Sequence, residues 1–258
     1  MKKNEFIEKL NIEDKNLAGY IYDKYKLAVD TGMKVSSEEF YPPNIWTKLE
    51  NIKGDILIKI NSIEVFPNSE RRQIAFVPID SEYYEIENPV ILVKLTNTSN
   101  FKKLEHKDFL GAIMSLGIKR ELLSDLILKE QTCYFLTNNT IASLIEENLP
   151  KVGKNPIKFQ YAQKEEIPQI DFEYIDILSS SMRLDGIISS LCKFSRSEAV
   201  EKIEKKEVSI NYIVKSEKSL VIKENDVISI RKFGKYILEG ELGKSKKDKL
   251  RLRFKKFT

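Results

Sequence analysis

Apolar positions recur along this chain with changing periods, and each change of period marks an element. Phe6, Ile7 and Leu10 share one short helical face, and Leu17, Tyr20, Ile21, Lys24 and Leu27 continue at helical spacing until Gly32 ends a second helix. Pro42-Pro43 breaks the chain, after which Ile45, Trp46 and Leu49 form a third stripe, with the lone Trp46 expected in the core. From Ile56 to Val65 the period falls to two, as in a strand, and Ile74 to Ile79 returns beside it. The charged stretch between them, Asn68-Ser69-Glu70-Arg71-Arg72, reads as a solvated turn.

The middle of the chain alternates the two periods. Val90 to Thr96 reads as strand, His106 to Leu116 as helix, Leu126 to Lys129 and Tyr134 to Leu136 as a hairpin, Ile141 to Leu149 as helix and Ile157 to Tyr161 as strand. That order, βαββαβ, is the ferredoxin-like split unit. Many RNA-binding domains use it and many others never touch RNA; the aromatic pair that stacks bases in its commonest RNA-binding version is not evident here. Gly111 is expected to let its helix pack closely on the sheet. Gly117-Ile118 has the form of a left-handed helix stop with its hydrophobic contact, presenting Lys119-Arg120 on the loop beyond. Ile167-Pro168-Gln169 and the acidic stretch from Asp171 to Asp176 read as a linker.

Beyond it, Leu184, Ile187, Ile188 and Leu191 stand at i, i+3, i+4 and i+7, the core face of a helix ending near Phe194. Ser195 and Glu198 form a capping box that starts a second helix at Arg196. Ala199, Val200 and Ile203 pack back on the first helix, leaving Lys193, Arg196, Lys202, Lys205 and Lys206 for solvent or a partner. Val208 to Asn211, Ile213-Val214 and Val227 to Ile230 then read as short strands. The chain is thus expected to be α+β with three domains: a helical and hairpin segment at 1–80, a ferredoxin-like domain at 81–165 and an αα-β module at 181–258.

Length and composition fit this division. A chain of 258 residues exceeds one ordinary domain, and no run approaches the 18 or so apolar residues of a membrane span, so a cytoplasmic protein is expected. Cys133 and Cys192 lie far apart within apolar patterns and read as reduced, buried thiols. The net charge of +4 is unevenly spread. From Met182 onward there are 20 Lys plus Arg against 11 Asp plus Glu, a balance of +9; the preceding 181 residues carry 23 against 28, a balance of −5. A basic module on a mildly acidic body is the footprint of a protein that docks on phosphates, set against the plain alternative of a solvated lysine-rich surface.

Arg183-Leu184-Asp185, Ser195-Arg196, Ala199, Ile203, Val208, Ile210-Asn211, Asp226-Val227-Ile228 and Arg231 together resemble the S-four domain, a small RNA-binding module. Lys206 and Asn225 stand where that family usually has Gly. Asn tolerates a left-handed backbone and Lys does so at about 1 kcal/mol, which leaves room for the second helix to run on a little further. His106-Lys107-Asp108-Phe109-Leu110-Gly111, Leu116-Gly117-Ile118-Lys119-Arg120 and Ile230-Arg231-Lys232-Phe233-Gly234-Lys235-Tyr236 narrow the resemblance to the YlmH family of bacterial RNA-binding proteins, over nearly the whole chain. Two departures stand out: Glu64-Val65-Phe66 in place of a Gly-Gly-aromatic loop before Glu70-Arg71, and Ser124-Asp125 in place of Gly-Asp.

The resemblance implies structured ribosomal RNA and tRNA as partners, on the large ribosomal subunit, with a role in rescuing subunits obstructed by peptidyl-tRNA and, by genetic neighbourhood, a link to cell division. RNA contacts are expected from Arg183, Lys193, Ser195, Arg196, Ser197, Lys202, Lys205, Lys206, Asn211, Arg231, Lys232, Phe233, Lys235 and Tyr236, with a secondary set in His106, Lys107, Lys119 and Arg120. Asp185 is expected to orient Arg183 or Arg196, since a carboxylate beside a phosphate repels it. Phe233 reads either as a core residue beside a turn at Gly234 or, with Tyr236, as a ring that stacks on a base. A monomer without cofactor, metal or catalytic residue is expected. The one His reads as helix capping or packing, with no acid cluster at metal-ligand spacing around it, and no G-x-G turn or P-loop occurs. An RNA-modifying enzyme carrying an S-four accessory domain is the weaker alternative: a pseudouridine synthase could place its Asp in an Arg-Leu-Asp motif, but only 73 residues follow Asp185, and the basic module uses them. The other alternative, a division-linked scaffold acting through protein contacts, would place its important residues on the acidic body.

Overall fold

The computed structural model describes residues 1–52, 58–79, 90–99, 101–169 and 172–257. The chain is α+β and divides into two compact units, Met1–Gln169 and Ile170–Thr258. The boundary expected near residue 80, and Ile56 and Asp171, lie outside the described residues.

The first unit begins with three helices, α1 (Lys3–Leu10), α2 (Lys15–Thr31) and α3 (Pro43–Glu50), and a small antiparallel sheet of β1 (Val35–Ser36), β2 (Ile58–Ile63) and β3 (Gln73–Pro78) in the order β1-β3-β2. Asp14 caps α2 by accepting from the Leu17 N–H, and Gly32 ends it at φ 64°, where a side chain would be strained. The buried face of α2 differs from the expected one. Ala18, Ile21, Tyr22, Tyr25 and Ala28 face the core, while Tyr20 and Leu27 are exposed. The aromatic cluster explains the rotation: Tyr25 stacks on Phe6 at 5.3 Å and meets Phe76 edge-on at 6.1 Å, so the helix turns its largest rings inward. Trp46 is half-buried rather than core, because its indole N–H donates to the Glu70 carbonyl and the Arg72 guanidinium covers its ring at 4.2 Å.

The same unit continues through β4 (Ile91–Asn97), α4 (His106–Met114), β5 (Ile127–Lys129), β6 (Thr132–Thr137), α5 (Asn139–Asn148), β7 (Lys151–Val152) and β8 (Asn155–Ala162). Its five strands stand in the order β5-β6-β4-β8-β7, antiparallel throughout. Val93, Leu95, Cys133 and Phe135 point to one face, and Phe109, Ile113, Ile141, Ala142 and Ile145 from the two helices cover it. Burial pushes the Cys133 thiol well above its ordinary pKa and the half-buried Cys192 thiol up to about 11, as suits two reduced, unreactive groups. Gly111 does not serve helix–sheet approach: it is exposed, and a Cβ there would meet nothing.

The second unit is built from β9 (Phe172–Ser179), α6 (Leu184–Cys192), α7 (Arg196–Glu204), β10 (Val208–Ile210), β11 (Ile213–Val214), β12 (Val227–Ile230), β13 (Gly234–Lys244) and β14 (Leu250–Phe257). Its sheet runs β11-β10-β12-β13-β14-β9. The stretch expected as an acidic linker is therefore strand. Ile175 and Ile177 alternate with polar residues and pack on the core beside Leu252 and Phe254, which outweighs the poor strand preference of the acids between them. The turn at Arg231–Phe233 joins β12 to β13. At the end of α7, Lys206 takes φ 59° and Asn225 φ 67°, so both adopt the left-handed conformation usual for Gly and α7 does not run on.

α6 is the pillar of this unit, with Leu184, Ile187 and Ile188 fully buried against the sheet. Ile188→Ala should lower unfolding stability by about 2–5 kcal/mol. Chemical denaturation that showed less than 1 kcal/mol would remove α6 from the core.

Candidate nucleic-acid interface

The corner between α6 and α7 concentrates the basic groups on one buried carboxylate. Arg183 is the N-cap residue of α6, extended at φ −73° and ψ 140°, and Asp185 sits in the first turn with 2% of its surface exposed. The Asp185 carboxylate accepts from Arg183 Nε at 3.2 Å and Nη2 at 3.1 Å, from Arg196 Nε at 3.1 Å and Nη2 at 3.0 Å, and from the Gly186 N–H at 2.9 Å. Burial alone pushes this carboxyl up, but the two guanidiniums and the Gly186 N–H outweigh it and hold its pKa below the ordinary range. Asp185 is thus ionised at neutral pH, and it fixes two arginines whose outer faces remain open, Arg196 with 63% of its side chain exposed.

The turn between the helices sets the position of Arg196. Lys193 closes α6 in the left-handed conformation at φ 56°, and the Phe194 N–H returns to the Ser189 carbonyl. Ser195 accepts from the Glu198 N–H while Glu198 accepts from the Ser195 N–H, which leaves Arg196 and Ser197 exposed on the first turn of α7. The Ser195 hydroxyl is committed to the cap, donating to Glu198 as well, so a direct RNA contact expected from it gives way to a positioning role. A shallow groove of about 450 Å³ beside the corner is lined by Asp185, Arg196, Ser197, Val200, Glu201, Glu204 and Lys218. Its acidic end repels phosphate, so only the arginine end suits an anion.

Next to this corner lies the basic turn. The Phe233 ring meets Phe194 edge-on with centroids 4.7 Å apart, Lys202 Nζ stands 5.8 Å from its centroid, and 38% of it is exposed. It is neither tucked into the core nor free of it: Phe194 packs against the ring, Lys202 stands over it, and part of its surface stays open. Tyr236 is different. It is 4% exposed and its hydroxyl donates to the Phe233 carbonyl, so the stacking role expected of it is corrected to one of supporting the turn. Arg231 and Lys232 are exposed, and Lys235 is half-buried with its ammonium 5.6 Å from the Tyr212 ring.

Other expected contacts are engaged inside the fold. Asn211 donates to Asp226 and accepts from the Val227 N–H, pinning the left-handed turn Asn211-Tyr212 to the start of β12. Lys202 pairs with Glu207 and Lys205 with Glu201; Lys193 and Lys206 are exposed at the two left-handed helix ends.

In the first unit the secondary set divides. Lys107 and Lys119 are exposed, Lys107 pairing with Glu105, and His106 opens α4. Burial and then the nearby Arg120 push the His106 pKa down, so it is neutral at pH 7. Arg120 is not presented to solvent as expected: it donates to the Leu123 and Ser124 carbonyls. Nor is the segment before Arg72 a solvated turn. The Asp125 carboxylate accepts from the Glu70 and Arg71 N–H groups at 2.6 and 2.9 Å, and burial pushes the Arg71 guanidinium down to about 10. In the sequence Glu70-Arg71 and Ser124-Asp125 stand as two separate motifs, and nothing in their spacing says that they meet.

Residues 81–166 match a family model described as "Putative RNA-binding domain in YlmH". Over 237 residues the chain is 26% identical to a Bacillus subtilis (strain 168) protein named ribosome-associated protein quality control protein P2, covering 90% of this chain and 91% of that one. A solved structure of a cell division protein ylmH from Streptococcus pneumoniae aligns with a TM-score of 0.49 and 21% identity, over 61% of this chain and 96% of that chain.

The Asp185 clamp makes an unusual forecast. Asp185→Asn removes one negative charge from this basic corner, which by bulk electrostatics would tighten any RNA binding there; by geometry it releases Arg183 and Arg196 and should weaken binding several-fold. Filter binding at fixed salt decides between the two. The sign of the pH effect follows from the lowered Asp185 pKa: the clamp contributes above the ordinary carboxylate range and is lost as pH falls through its depressed value. Melting temperatures between pH 5 and 8 should therefore show no step that Asp185→Asn abolishes.

Proposed function

The chain belongs to the YlmH family, and from that premise we propose that it is a non-enzymatic RNA-binding protein of the cytoplasm. It recognises structured ribosomal RNA and tRNA on the large ribosomal subunit, and acts in quality control of subunits obstructed by peptidyl-tRNA. The ribosome and quality control are in the name of the Bacillus subtilis relative; the RNA chemistry rests on this chain's own residues. In this reading 1–80 is a helical and hairpin domain, 81–165 a ferredoxin-like domain and 181–258 an S-four-like domain preceded by the β9 strand, and the protein acts as a monomer.

The observation that carries the proposal is the pair of guanidiniums held by one buried carboxylate at the start of α7. Arginines fixed in this way have given up their rotamer freedom before RNA arrives, so less entropy is lost on binding. A phosphate placed against them also meets the positive end of the α7 dipole and the N–H groups of its first turn. Arg183, Arg196 and Ser197 then form the phosphate site, with Lys193, Lys206, Arg231 and Lys232 as exposed cations around it and Phe233 as the ring available to an unpaired base. The secondary set is Lys107 and Lys119 as cations with His106 as a neutral ring beside them, without Arg120.

Two measurements test this. RNA affinity should fall steeply with salt, with a slope of log affinity against log salt of roughly −4 for about 5 phosphate contacts. Arg196→Glu should lower large-subunit binding and flatten that slope; because it also sets a second carboxylate beside the buried Asp185, the melting temperature should fall, and binding is compared at a temperature where the variant is folded. Crosslinking in cells should give a discrete footprint on large-subunit RNA and tRNA; reads scattered over messenger RNA would overturn the proposal.

Phe233→Ala should weaken RNA binding by about 1–3 kcal/mol if one base stacks on its open surface. The lost edge contact with Phe194 contributes about 0.5–1.5 kcal/mol to stability, and thermal unfolding of the same variant measures it separately. Undiminished RNA binding by a folded Phe233→Ala protein would exclude the ring from the site.

A further inference from the structure

The six-stranded sheet of the second unit has a face that the α6–α7 corner does not use. Along β9, Ile175 and Ile177 point into the core, so Phe172, Tyr174, Asp176 and Leu178 share the opposite face. Along β14, Leu252 and Phe254 are buried, which puts Arg251, Arg253 and Lys255 on that same outer face. The register sets Arg251 opposite Leu178, Arg253 opposite Asp176 and Lys255 opposite Tyr174. Cations and rings meet along the diagonals: the Arg253 guanidinium lies 5.9 Å from the Tyr174 centroid, and the Lys255 ammonium 6.0 Å from that of Phe172.

This composition does not fit a sheet edge built only to stay in water. β9 is an edge strand, and edges are ordinarily guarded by charges. Here Tyr174 is 57% and Leu178 48% exposed, with cations set beside the rings. Two carboxylates answer part of the charge: Asp176 accepts from Arg253 at 2.8 and 3.0 Å and lies 3.8 Å from Arg251, and Glu239 lies 3.0 Å from Lys255. Arg251, at the long end of that network, has 53% of its side chain exposed.

We propose that this outer face is a second RNA site, one that takes unpaired, extended nucleotides. Tyr174 and Phe172 stack on successive bases while Arg251, the least neutralised of the three cations, meets the phosphate between them and Arg253 and Lys255 flank the rings. Spacing selects the substrate. Residues two apart on one strand face stand about 7 Å from each other, whereas paired bases are about 3.4 Å apart along each strand, so the two rings match a chain whose bases have been drawn apart. Single-stranded RNA has a π-face on every base and binds such platforms without strong sequence preference. The proposal rests on the RNA-binding reading above and adds to it a separate surface and a different RNA class.

The test uses the full chain, a short unstructured oligoadenylate and a folded RNA hairpin. Tyr174→Ala should weaken oligoadenylate binding at least about fivefold and leave hairpin binding intact; Tyr174→Phe, which keeps a ring, should retain both. Ultraviolet crosslinking of oligoadenylate should map to the peptide carrying Phe172 and Tyr174. Thermal unfolding of Tyr174→Ala verifies that the exposed edge strand is undisturbed. Normal oligoadenylate binding by Tyr174→Ala overturns the proposal, as does loss of ribosome association with oligoadenylate binding unchanged, which points to a protein occupant instead. A wild-type chain that binds the hairpin but not oligoadenylate removes this platform alone. One that binds neither removes the general RNA-binding reading with it.

Discussion

A carboxylate taken out of water must be met by donors, and in the second unit that requirement organises the surface. Asp185 lies under the α6–α7 corner with five hydrogen bonds directed at it, from two guanidiniums and a backbone N–H. Buried ion pairs contribute little net stability, because desolvation cancels most of the attraction. The consequence of this one is geometric. The guanidiniums cannot wander, α6 and α7 are tied at their N-terminal ends, and the capping box that places Arg196 is tied to the same point.

The first unit uses the same chemistry for a different end. Asp125 accepts from two backbone N–H groups of the loop before β3, and Arg120 is drawn in to satisfy carbonyls next to it. A carboxylate that bonds backbone N–H groups fixes a loop, and one that bonds guanidiniums fixes a surface. The loop in question carries Arg71 and Arg72, whose Nε atoms are both buried without a partner, so the segment is held against an electrostatic cost and not merely draped over the surface. Arg72 recovers part of that cost by stacking on Trp46.

What could be read from the chain alone follows from how local each cause is. The helix stops, the capping box at Ser195 and the role of Asp185 depend on neighbours within about a dozen residues, and those signals are written in order. The buried face of α2 is not legible locally, because Tyr20 and Tyr25 are equally aromatic and only Phe6 and Phe76, distant in sequence, decide which of them turns inward. The acidic stretch before α6 reads locally as a linker since its strand partner lies at the far end of the chain, Arg253 against Asp176. Yet the alternation of Leu250-Arg251-Leu252-Arg253-Phe254-Lys255 was present as a period of two, and it is the signal from which the long β13–β14 hairpin could have been found.

Net charge overstated the electrostatic case. Counting from Ile170, where the second unit begins, gives 20 Lys plus Arg against 14 Asp plus Glu, a balance of +6 in place of the +9 counted from Met182. Several of these cations are already paired: Lys202 with Glu207, Lys205 with Glu201, Arg253 with Asp176 and Lys255 with Glu239. A diffuse field of this size would attract any polyanion with little preference. Preference has to come from positions where a cation is held without being neutralised, and the shared carboxylate of Asp185 achieves that: one negative charge fixes two positive ones, leaving the corner with a net positive charge in a set orientation. Fixed excess charge at the start of a helix favours a folded backbone of set phosphate spacing over a loose chain, so the selectivity of the α6–α7 corner follows from geometry more than from the unit's count of lysines.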